Sequence, residues 1–194
     1  MIRDYFEGER RVQMLDSEQR QKWLRADDLI KEMAGITAGM TCVDLGCGAG
    51  AISFPLASAV GNEGRVYAVD NDAKVIGRIK EKAPPSNLIP VLKDAVQTGL
   101  ESEIADFCFM VLILHEVEQP NRVMAEALRL LKPGGKVLVM EWRDEPDTPG
   151  PPHSERIPKE QMERLFKQAG LSSYTYTEWS RSHYIATGIK KKPK

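Results

Sequence analysis

Cysteine is scarce in this chain of 194 residues, and its three cysteines form neither a CxxC pair nor another spacing typical of a metal site. An odd number also argues against a disulfide framework, so we expect Cys42, Cys47 and Cys108 to be reduced, mostly buried thiols and no metal to be bound.

Long apolar runs are missing too. No stretch reaches the roughly 18 apolar residues of a membrane-spanning helix, and the opening MIRDYFEGERR is too charged for a signal peptide. We therefore expect a cytoplasmic protein without membrane insertion.

The chain also lacks an excess of charge of one sign, with 27 Lys and Arg residues against 28 Asp and Glu. Because dedicated nucleic-acid readers are strongly basic, this balance argues against DNA or RNA as a partner. Hydrophobic residues make up 42% of the chain, which is enough for a packed core and too many for a disordered polyelectrolyte. The length fits one ordinary α/β domain.

What the sequence does contain is an alternation of apolar runs with helix-period segments, which is typical of βαβ units and a parallel sheet. The apolar runs show no clean alternation, as expected for strands covered by helices on both faces. The predicted strands are 41–45, 65–69, 88–92, 105–112 and 136–141, followed by a hairpin of 173–179 and 183–189, and the predicted helices are 17–25, 27–33, 49–60, 73–82, 122–131 and 159–169.

Turn and cap signals agree with this interpretation. Asp72 and Asn121 are the predicted N-caps of two helices, and Lys132-Pro133-Gly134-Gly135 predicts a helix stop followed by a tight turn. The segment 144–158 is rich in proline and predicts a loop that is a candidate wall of a site.

The stretch from Val43 to Gly50, VDLGCGAG, follows a predicted strand and opens a predicted helix. Its glycines let the chain turn sharply and let a ligand lie against the backbone, and the helix N-terminus behind them offers free N–H groups. We therefore predict that this loop binds a nucleotide-like ligand.

Three ligands compete for the loop. A Walker-type phosphate site needs GxxxxGK[ST], which is missing here, so hydrolysis of ATP or GTP is excluded. A dinucleotide such as NAD stays open, because Gly46, Gly48 and Ala51 satisfy G-x-G-x-x-G/A and Asp70 ends the next strand. S-adenosylmethionine, which has no pyrophosphate, is favoured by Asp44 close to the loop. It is favoured also by an acid at the end of the third strand, Asp94, which would suit an adenine amino group.

Five segments together resemble the successive motifs of the class I S-adenosylmethionine-dependent methyltransferases. The resemblance is strongest to the small-molecule group that includes the menaquinone and ubiquinone biosynthesis methyltransferases, and it spans about Asp28 to Ile189. It implies a Rossmann-like, doubly wound, three-layer αβα fold with a seven-stranded sheet that is mostly parallel and has a C-terminal antiparallel strand. The segments are VDLGCGAG at 43–50, VYAVDND at 66–72, LKDAV at 92–96, ADFCFMVLILHEV at 105–117 and LLKPGGKVLVMEW at 130–142.

The resemblance implies that the loop runs along the methionine part of the cofactor, with Asp44 supporting the loop or the amino group. Asp70 would hold the ribose hydroxyls and Asp94 the adenine edge, while Val111 and Leu112 would lie near the transferable methyl group. The residues carried over as cofactor-binding are Asp44, Leu45, Gly46, Cys47, Gly48, Gly50, Asp70, Asn71, Asp94, Ala95, Val111 and Leu112.

Methyl transfer from a sulfonium is an in-line displacement, so the protein mainly aligns the reacting groups, and a base is needed only for a protonated acceptor. His115 and Glu116, just past the fourth strand, are the candidate catalytic residues. Trp142, Arg143 and Arg156 are candidate acceptor-binding residues. Residues of the N-terminal part, among them Tyr5, Phe6, Arg20 and Trp23, are expected to form a lid, with Trp23 also a candidate for acceptor binding.

The sequence therefore predicts an enzyme that methylates a small molecule and leaves S-adenosylhomocysteine as product. A cofactor-binding partner protein without transferase activity and an NAD-dependent oxidoreductase remain the alternatives. We expect a helical lid over residues 1–35, a methyltransferase domain over 36–190 and a solvated basic tail over 191–194, in a monomer or homodimer.

Overall fold

The computed structural model describes residues 9–33, 35–146, 148 and 150–193. The predicted lid residues Tyr5 and Phe6 lie outside this part of the chain. The described residues form two compact units, one ending at Gly99 and the other beginning at Leu100.

The first unit contains three parallel strands in the order β3-β2-β1, together with five helices. Leu45 pairs with Val69 and Asp70 with Leu92, so the carboxyl ends of the three strands lie along one edge. The elements are α1 (Glu9–Leu15), α2 (Glu18–Leu24), α3 (Ala26–Met33), β1 (Thr41–Leu45), α4 (Ser53–Val60), β2 (Arg65–Asp70), α5 (Ala73–Glu81) and β3 (Leu88–Leu92).

The second unit contains four strands in the order β4-β5-β7-β6. β5 is parallel to β4 on one side and antiparallel to β7 on the other, and β7 forms a hairpin with β6. The elements are β4 (Ala105–Val111), α6 (Pro120–Leu130), β5 (Leu131–Trp142), a 3₁₀ turn (His153–Glu155), α7 (Lys159–Gln168), β6 (Ser172–Glu178) and β7 (His183–Ile189).

The predicted class, a mostly parallel seven-stranded α/β sheet with a C-terminal antiparallel strand, is confirmed. The three cysteines are buried thiols, as predicted. Asp72 caps α5 by accepting a hydrogen bond of 2.8 Å from the Lys74 N–H.

Three local predictions were wrong. The N-cap of α6 is Gln119 rather than Asn121, because Pro120 takes the first helical position, where its missing N–H costs nothing. The helix predicted from residue 49 begins at Ser53, because the glycine loop occupies the preceding residues. The segment 132–135 lies within β5 rather than in a tight turn, and backbone bonds join Gly134 and Gly135 to Lys190, so the base of the basic tail is ordered.

Candidate cofactor site and acceptor residues

The glycine loop after β1 uses all three of its glycines for backbone conformation. Gly46, Gly48 and Gly50 have φ values of 71°, 53° and 86°, which residues other than glycine rarely adopt. A Cβ at Gly50 would also lie 2.8 Å from the Phe54 ring. The N–H groups of Gly46 and Cys47 both donate to the Val69 carbonyl, at 2.8 and 3.0 Å, so the loop is fastened to β2.

The Asp70 carboxylate, at the end of β2, ties the second strand to this loop. It accepts hydrogen bonds of 3.0 Å from the N–H of Gly48 and from that of Asp72, and the residue is only 4% exposed. The residue predicted to hold the ribose is thus hydrogen-bonded directly to the glycine loop.

Asp44 lies beneath the loop on β1 and is 1% exposed. Its carboxyl accepts a hydrogen bond of 2.6 Å from the hydroxyl of Ser53, the first residue of α4. Burial raises the pKa of Asp44 to about 7; Asp70 raises it further, while the Ser53 hydrogen bond and the charge of Arg20 lower it. A cation brought to this carboxyl would favour its ionised form.

Cys47 occupies the loop as a buried thiol rather than as a reactive group. Its Sγ lies 3.6 Å from the Gly48 carbonyl. Burial raises the pKa of the Cys47 thiol well above its usual range, and the neighbouring charges of Asp44 and Asp70 act in the same direction. The geometry therefore gives Cys47 no nucleophilic role.

Asp94 follows β3 and shapes the turn that the sequence assigns to the adenine. Its Oδ1 accepts from the Val96 N–H at 3.0 Å, and its carbonyl accepts from Gln97 at 3.0 Å. Ala95 is buried beside it, while Asn71, after β2, is exposed. The polar groups after β2 and β3 therefore follow strand ends that share one edge.

The N-terminal helices are docked on the same loop. Leu15 packs with Ala49 and Val75, and a Cβ at Gly48 would lie 3.4 Å from its side chain. The Lys82 ammonium donates to the Ala49 carbonyl at 2.9 Å and also to the Asp16 carboxylate.

The Asp16 side chain is 17% exposed, and burial alone would raise the pKa of this carboxyl. Its bonds to Lys82 and Arg78 outweigh burial and lower the pKa. We call this arrangement of Leu15, Asp16 and Lys82 the N-terminal strap. Arg20, whose charge acts on Asp44, belongs to the helix that follows it, and Trp23 on that helix is 40% exposed.

A cavity of about 490 Å³ lies beside the strap. Its lining includes Asp16, Gly50, Phe54 and Lys82. It does not include Asp44, Asp70 or Asp94, the three acids predicted to bind the cofactor. We therefore do not assign the cofactor to this cavity.

In the second unit, the predicted residue His115 is joined to a fully buried carboxylate that sequence analysis missed. The ring Nδ1 lies 2.8 Å from Oε2 of Glu141, near the end of β5. The His115 side chain is 6% exposed and that of Glu141 is 0% exposed. Glu116, the other predicted catalytic residue, has its Oε1 3.8 Å from His115 Nε2.

The predicted acceptor-binding residues have packing roles in this unit. The ring of Trp142 lies 4.3 Å from that of His183. Arg156 is 5% exposed and donates to the carbonyls of Pro151, Arg143 and Thr148, at 2.9, 2.7 and 3.0 Å, as well as to the Thr148 hydroxyl. Most of the guanidinium donors of Arg156 thus hold the loop after β5.

Arg143 bonds to Glu145 at 3.1 Å and to Glu178 at 3.2 Å, so its guanidinium too is engaged within the unit.

Val111 ends β4, and Leu112 next to it has a left-handed φ of 57° although it is not glycine. Such strain is often kept at functional sites, and the assignment of Val111 and Leu112 to the methyl group stays a prediction.

The fold and the site together define an α/β protein. It has a glycine loop of the kind that binds nucleotides, and an acid, Asp70, at the end of the second strand. A family model described as "Methyltransferase domain" matches residues 43–139, which is half of the 194 residues. The chain belongs to this family, as the sequence motifs predicted.

This chain spans about half of the length of the curated relatives that it matches. A 2-phytyl-1,4-naphtoquinone methyltransferase of Trichormus variabilis is 32% identical over 120 residues, which are 58% of this chain and 52% of that protein. A demethylmenaquinone methyltransferase of Staphylococcus aureus is 31% identical over 129 residues, which are 66% of this chain and 52% of that protein.

Among solved structures, one titled as a SAM dependent methyltransferase from Aquifex aeolicus is similar with a TM-score of 0.86 and 24% sequence identity. The match covers 95% of this chain and 99% of that one, so it supports the fold over nearly the whole chain. None of the helices in the described part of the chain is long and apolar enough to cross a membrane.

Proposed function

We propose that this chain transfers a methyl group from S-adenosylmethionine to a small-molecule acceptor. The observation that carries the proposal is the hydrogen bond of 3.0 Å between the Asp70 carboxylate and the Gly48 N–H. It joins the predicted ribose acid to the loop predicted to hold the methionine part. Membership of the methyltransferase-domain family supports the same activity.

The residues at the loop fit this cofactor better than they fit a dinucleotide. S-adenosylmethionine supplies a methyl group that is already activated on a positive sulfur. Asp44, buried under the loop, would repel the negative pyrophosphate of NAD but attract an ammonium group. The loop glycines leave the backbone open to close approach, and Asp70 and Asp94 offer acceptors for ribose and adenine.

The proposed residue roles keep the predicted assignments. Asp70 serves the ribose, and Asn71, Asp94 and Ala95 serve the adenine. The cradle is formed by Leu45, Gly46, Cys47, Gly48 and Gly50, with Asp44 beneath it. Val111 and Leu112 are proposed for the methyl end. The names of the two relatives make quinones and their reduced forms the first acceptor class to test. A cytoplasmic location and a monomeric or homodimeric state also stay predictions.

Binding of S-adenosylhomocysteine, measured by isothermal titration calorimetry, tests the cofactor assignment. We expect a dissociation constant in the micromolar range for the wild type, loss of binding in Asp70→Ala and weakened binding in Asp70→Asn. Glu63→Ala, which changes an exposed acid in the same unit, is the control and should bind as the wild type does. Tight NAD binding with no binding of S-adenosylhomocysteine would overturn the proposal.

Turnover separates an enzyme from a cofactor-binding partner protein. Methyl transfer is to be followed with a panel of quinols, phenols, amines and thiols. Transfer to one of these classes supports the enzyme, whereas cofactor binding without transfer to any of them favours the partner protein.

A further inference from the structure

The hydrogen bond between Ser53 and Asp44 spans the glycine loop, because Asp44 lies on β1 before the loop and Ser53 begins α4 after it. The Ser53 hydroxyl donates to Oδ2 of Asp44 at 2.6 Å. Asp44 is 1% exposed and Ser53 is 0% exposed, so solvent does not screen this bond. Among the described residues, Ser53 is the one hydrogen-bond donor to the carboxyl.

One hydrogen bond is little support for a charge in the interior, where an ionised carboxylate is costly unless it is paired. Burial is the largest effect on Asp44 and raises its pKa to about 7. Of the charged groups that act on it, Asp70 on β2 also raises the pKa, while Arg20 on α2 lowers it. Cys47 in the loop is a neutral thiol, since its own pKa is well above the usual range. Near neutral pH the Asp44 carboxyl therefore lies between its two protonation states.

We propose that Ser53 is a positioning residue for the cofactor, which acts through Asp44 and sets the pH at which this carboxyl gives up its proton to receive the ammonium group of S-adenosylmethionine. The proposal rests on the proposed function, in which Asp44 attracts that ammonium group. As the cofactor binds, the O–H bond of a protonated Asp44 breaks, the proton leaves to solvent and the carboxylate pairs with the ammonium. Binding thus releases one proton for each Asp44 that was protonated beforehand.

The Ser53 hydroxyl has this effect because it favours one form of the carboxyl. By donating to Asp44 it stabilises the ionised form and lowers the pKa of Asp44, against the effect of burial. Without the hydroxyl the proton would be held more tightly, and more of the binding free energy would be lost in expelling it. A ligand that brings negative charge, such as a pyrophosphate, gains nothing from an ionised Asp44, so proton release is specific to a cationic ligand.

Proton release is measured by isothermal titration calorimetry with S-adenosylhomocysteine, which carries the same ammonium group, at pH 7 in buffers of different ionisation enthalpy. We expect about 0.5 proton per ligand in the wild type, about 0.9 in Ser53→Ala and none in Asp44→Asn. Ser53→Thr, which keeps the hydroxyl, should restore the wild-type count. Ser58→Ala, which changes an exposed serine on the same helix, is the matched control and should leave the count unchanged. Equal counts in Ser53→Ala and the wild type would overturn the role of Ser53.

The affinity for S-adenosylhomocysteine at two pH values distinguishes positioning from a general loosening of the loop. The wild type should bind about 8-fold more weakly at pH 6 than at pH 7.5, because fewer Asp44 carboxyls are ionised at pH 6. Removing the hydroxyl should shift the ionisation of Asp44 upward by about one pH unit. Ser53→Ala should therefore bind about 3-fold more weakly than the wild type at pH 7.5 and about 9-fold more weakly at pH 6. An equal loss at both pH values would show a merely structural effect and refute the proposal.

Titration of Asp44 in the ligand-free protein separates this proposal from the proposed function. In a protein labelled with ¹³C-aspartate, the carboxyl signal that Asp44→Asn removes should titrate near pH 7 in the wild type and about one pH unit higher in Ser53→Ala. Failure to bind S-adenosylhomocysteine would remove the proposed function whatever this titration shows. Binding without proton release would remove only the role of Ser53 and Asp44. If Ser53→Ala does not fold, Ser53→Cys replaces the hydroxyl by a weaker donor, and shifts in the same direction but of smaller size are expected.

Discussion

The Ser53 hydroxyl donates a hydrogen bond of 2.6 Å to the Asp44 carboxyl, so the first residue of α4 holds the acid that lies under the glycine loop. Both side chains are buried. The stability of the fold therefore depends on the protonation of a carboxyl with a strongly raised pKa, which leads to the first prediction.

Asp44 has a pKa of about 7 in the folded protein, raised mainly by burial from an ordinary value of 3.8. The folded state thus binds the proton more tightly than the unfolded state, and the resulting stability is present at low pH and lost as pH rises through about 7. Between pH 6 and pH 8 the free energy of unfolding should fall by about 1 kcal/mol through this group.

The measurement is urea unfolding of the wild type and of Asp44→Asn at both pH values. Asp44→Asn should lack this component of the pH dependence. An equal change in the two proteins would show that other groups cause it.

The second prediction concerns Lys82, which joins the Ala49 carbonyl to Asp16 in the N-terminal strap. Lys82→Met should lower the free energy of unfolding by about 1 kcal/mol, because it leaves a partly buried carboxylate and a carbonyl without this donor. It should also weaken binding of S-adenosylhomocysteine, since the loop carbonyl is no longer held. Lys80→Met, which changes an exposed lysine in the last turn of α5, two residues before Lys82, is the matched control in both denaturation and calorimetry. Equal effects of the two substitutions would refute a specific role for Lys82.

The third prediction compares two glycines with nearly the same backbone. Gly50 has φ +86° and its added Cβ would meet the Phe54 ring at 2.8 Å, whereas Gly39 has φ +85° and open space around it. Each change to alanine costs about 1 kcal/mol of backbone strain, and Gly50→Ala should cost about 1 kcal/mol more through the contact. Thermal unfolding of both variants gives the difference. If Gly39→Ala is as damaging as Gly50→Ala, the contact with Phe54 is not what requires glycine.

The fourth prediction separates two roles for Arg156, predicted from the sequence to bind the acceptor and found to hold the loop after β5. Arg156→Lys should lower the free energy of unfolding by about 2 kcal/mol and speed thermolysin cleavage within the loop, because an ammonium cannot replace the planar guanidinium fork. Arg164→Lys on the exposed face of α7 is the control. A raised KM for the acceptor with unchanged stability and cleavage would instead establish acceptor binding.

The strands and the glycine loop were predictable because their signals are local. Apolar runs bounded by turn residues located β1 and β3 to the residue. Asn121 was the wrong cap because Pro120 begins the helix, which makes Gln119 the residue before it and the N-cap.

Ser53 and Glu141 were missed for a different reason. Each acts on a partner distant in sequence, nine residues away for Asp44 and 26 for His115. Their spacing carries no periodic signal, and only the packing of elements that are separate in the sequence brings the groups together. The same holds for Lys82, which lies 33 residues from Ala49.

β5 is hydrogen-bonded to β4 on one side and to β7 on the other, and Glu141 sits near its end, paired with Tyr184. A mutation that repositions this carboxylate must disturb three strands at once. The loop that begins at Arg143 is held mainly by side-chain contacts, among them those of Arg143 and Arg156 described above. During divergence of this scaffold, the loop is therefore easier to change than the strand, so proteins that differ in the loop can keep the hydrogen bond between Glu141 and His115.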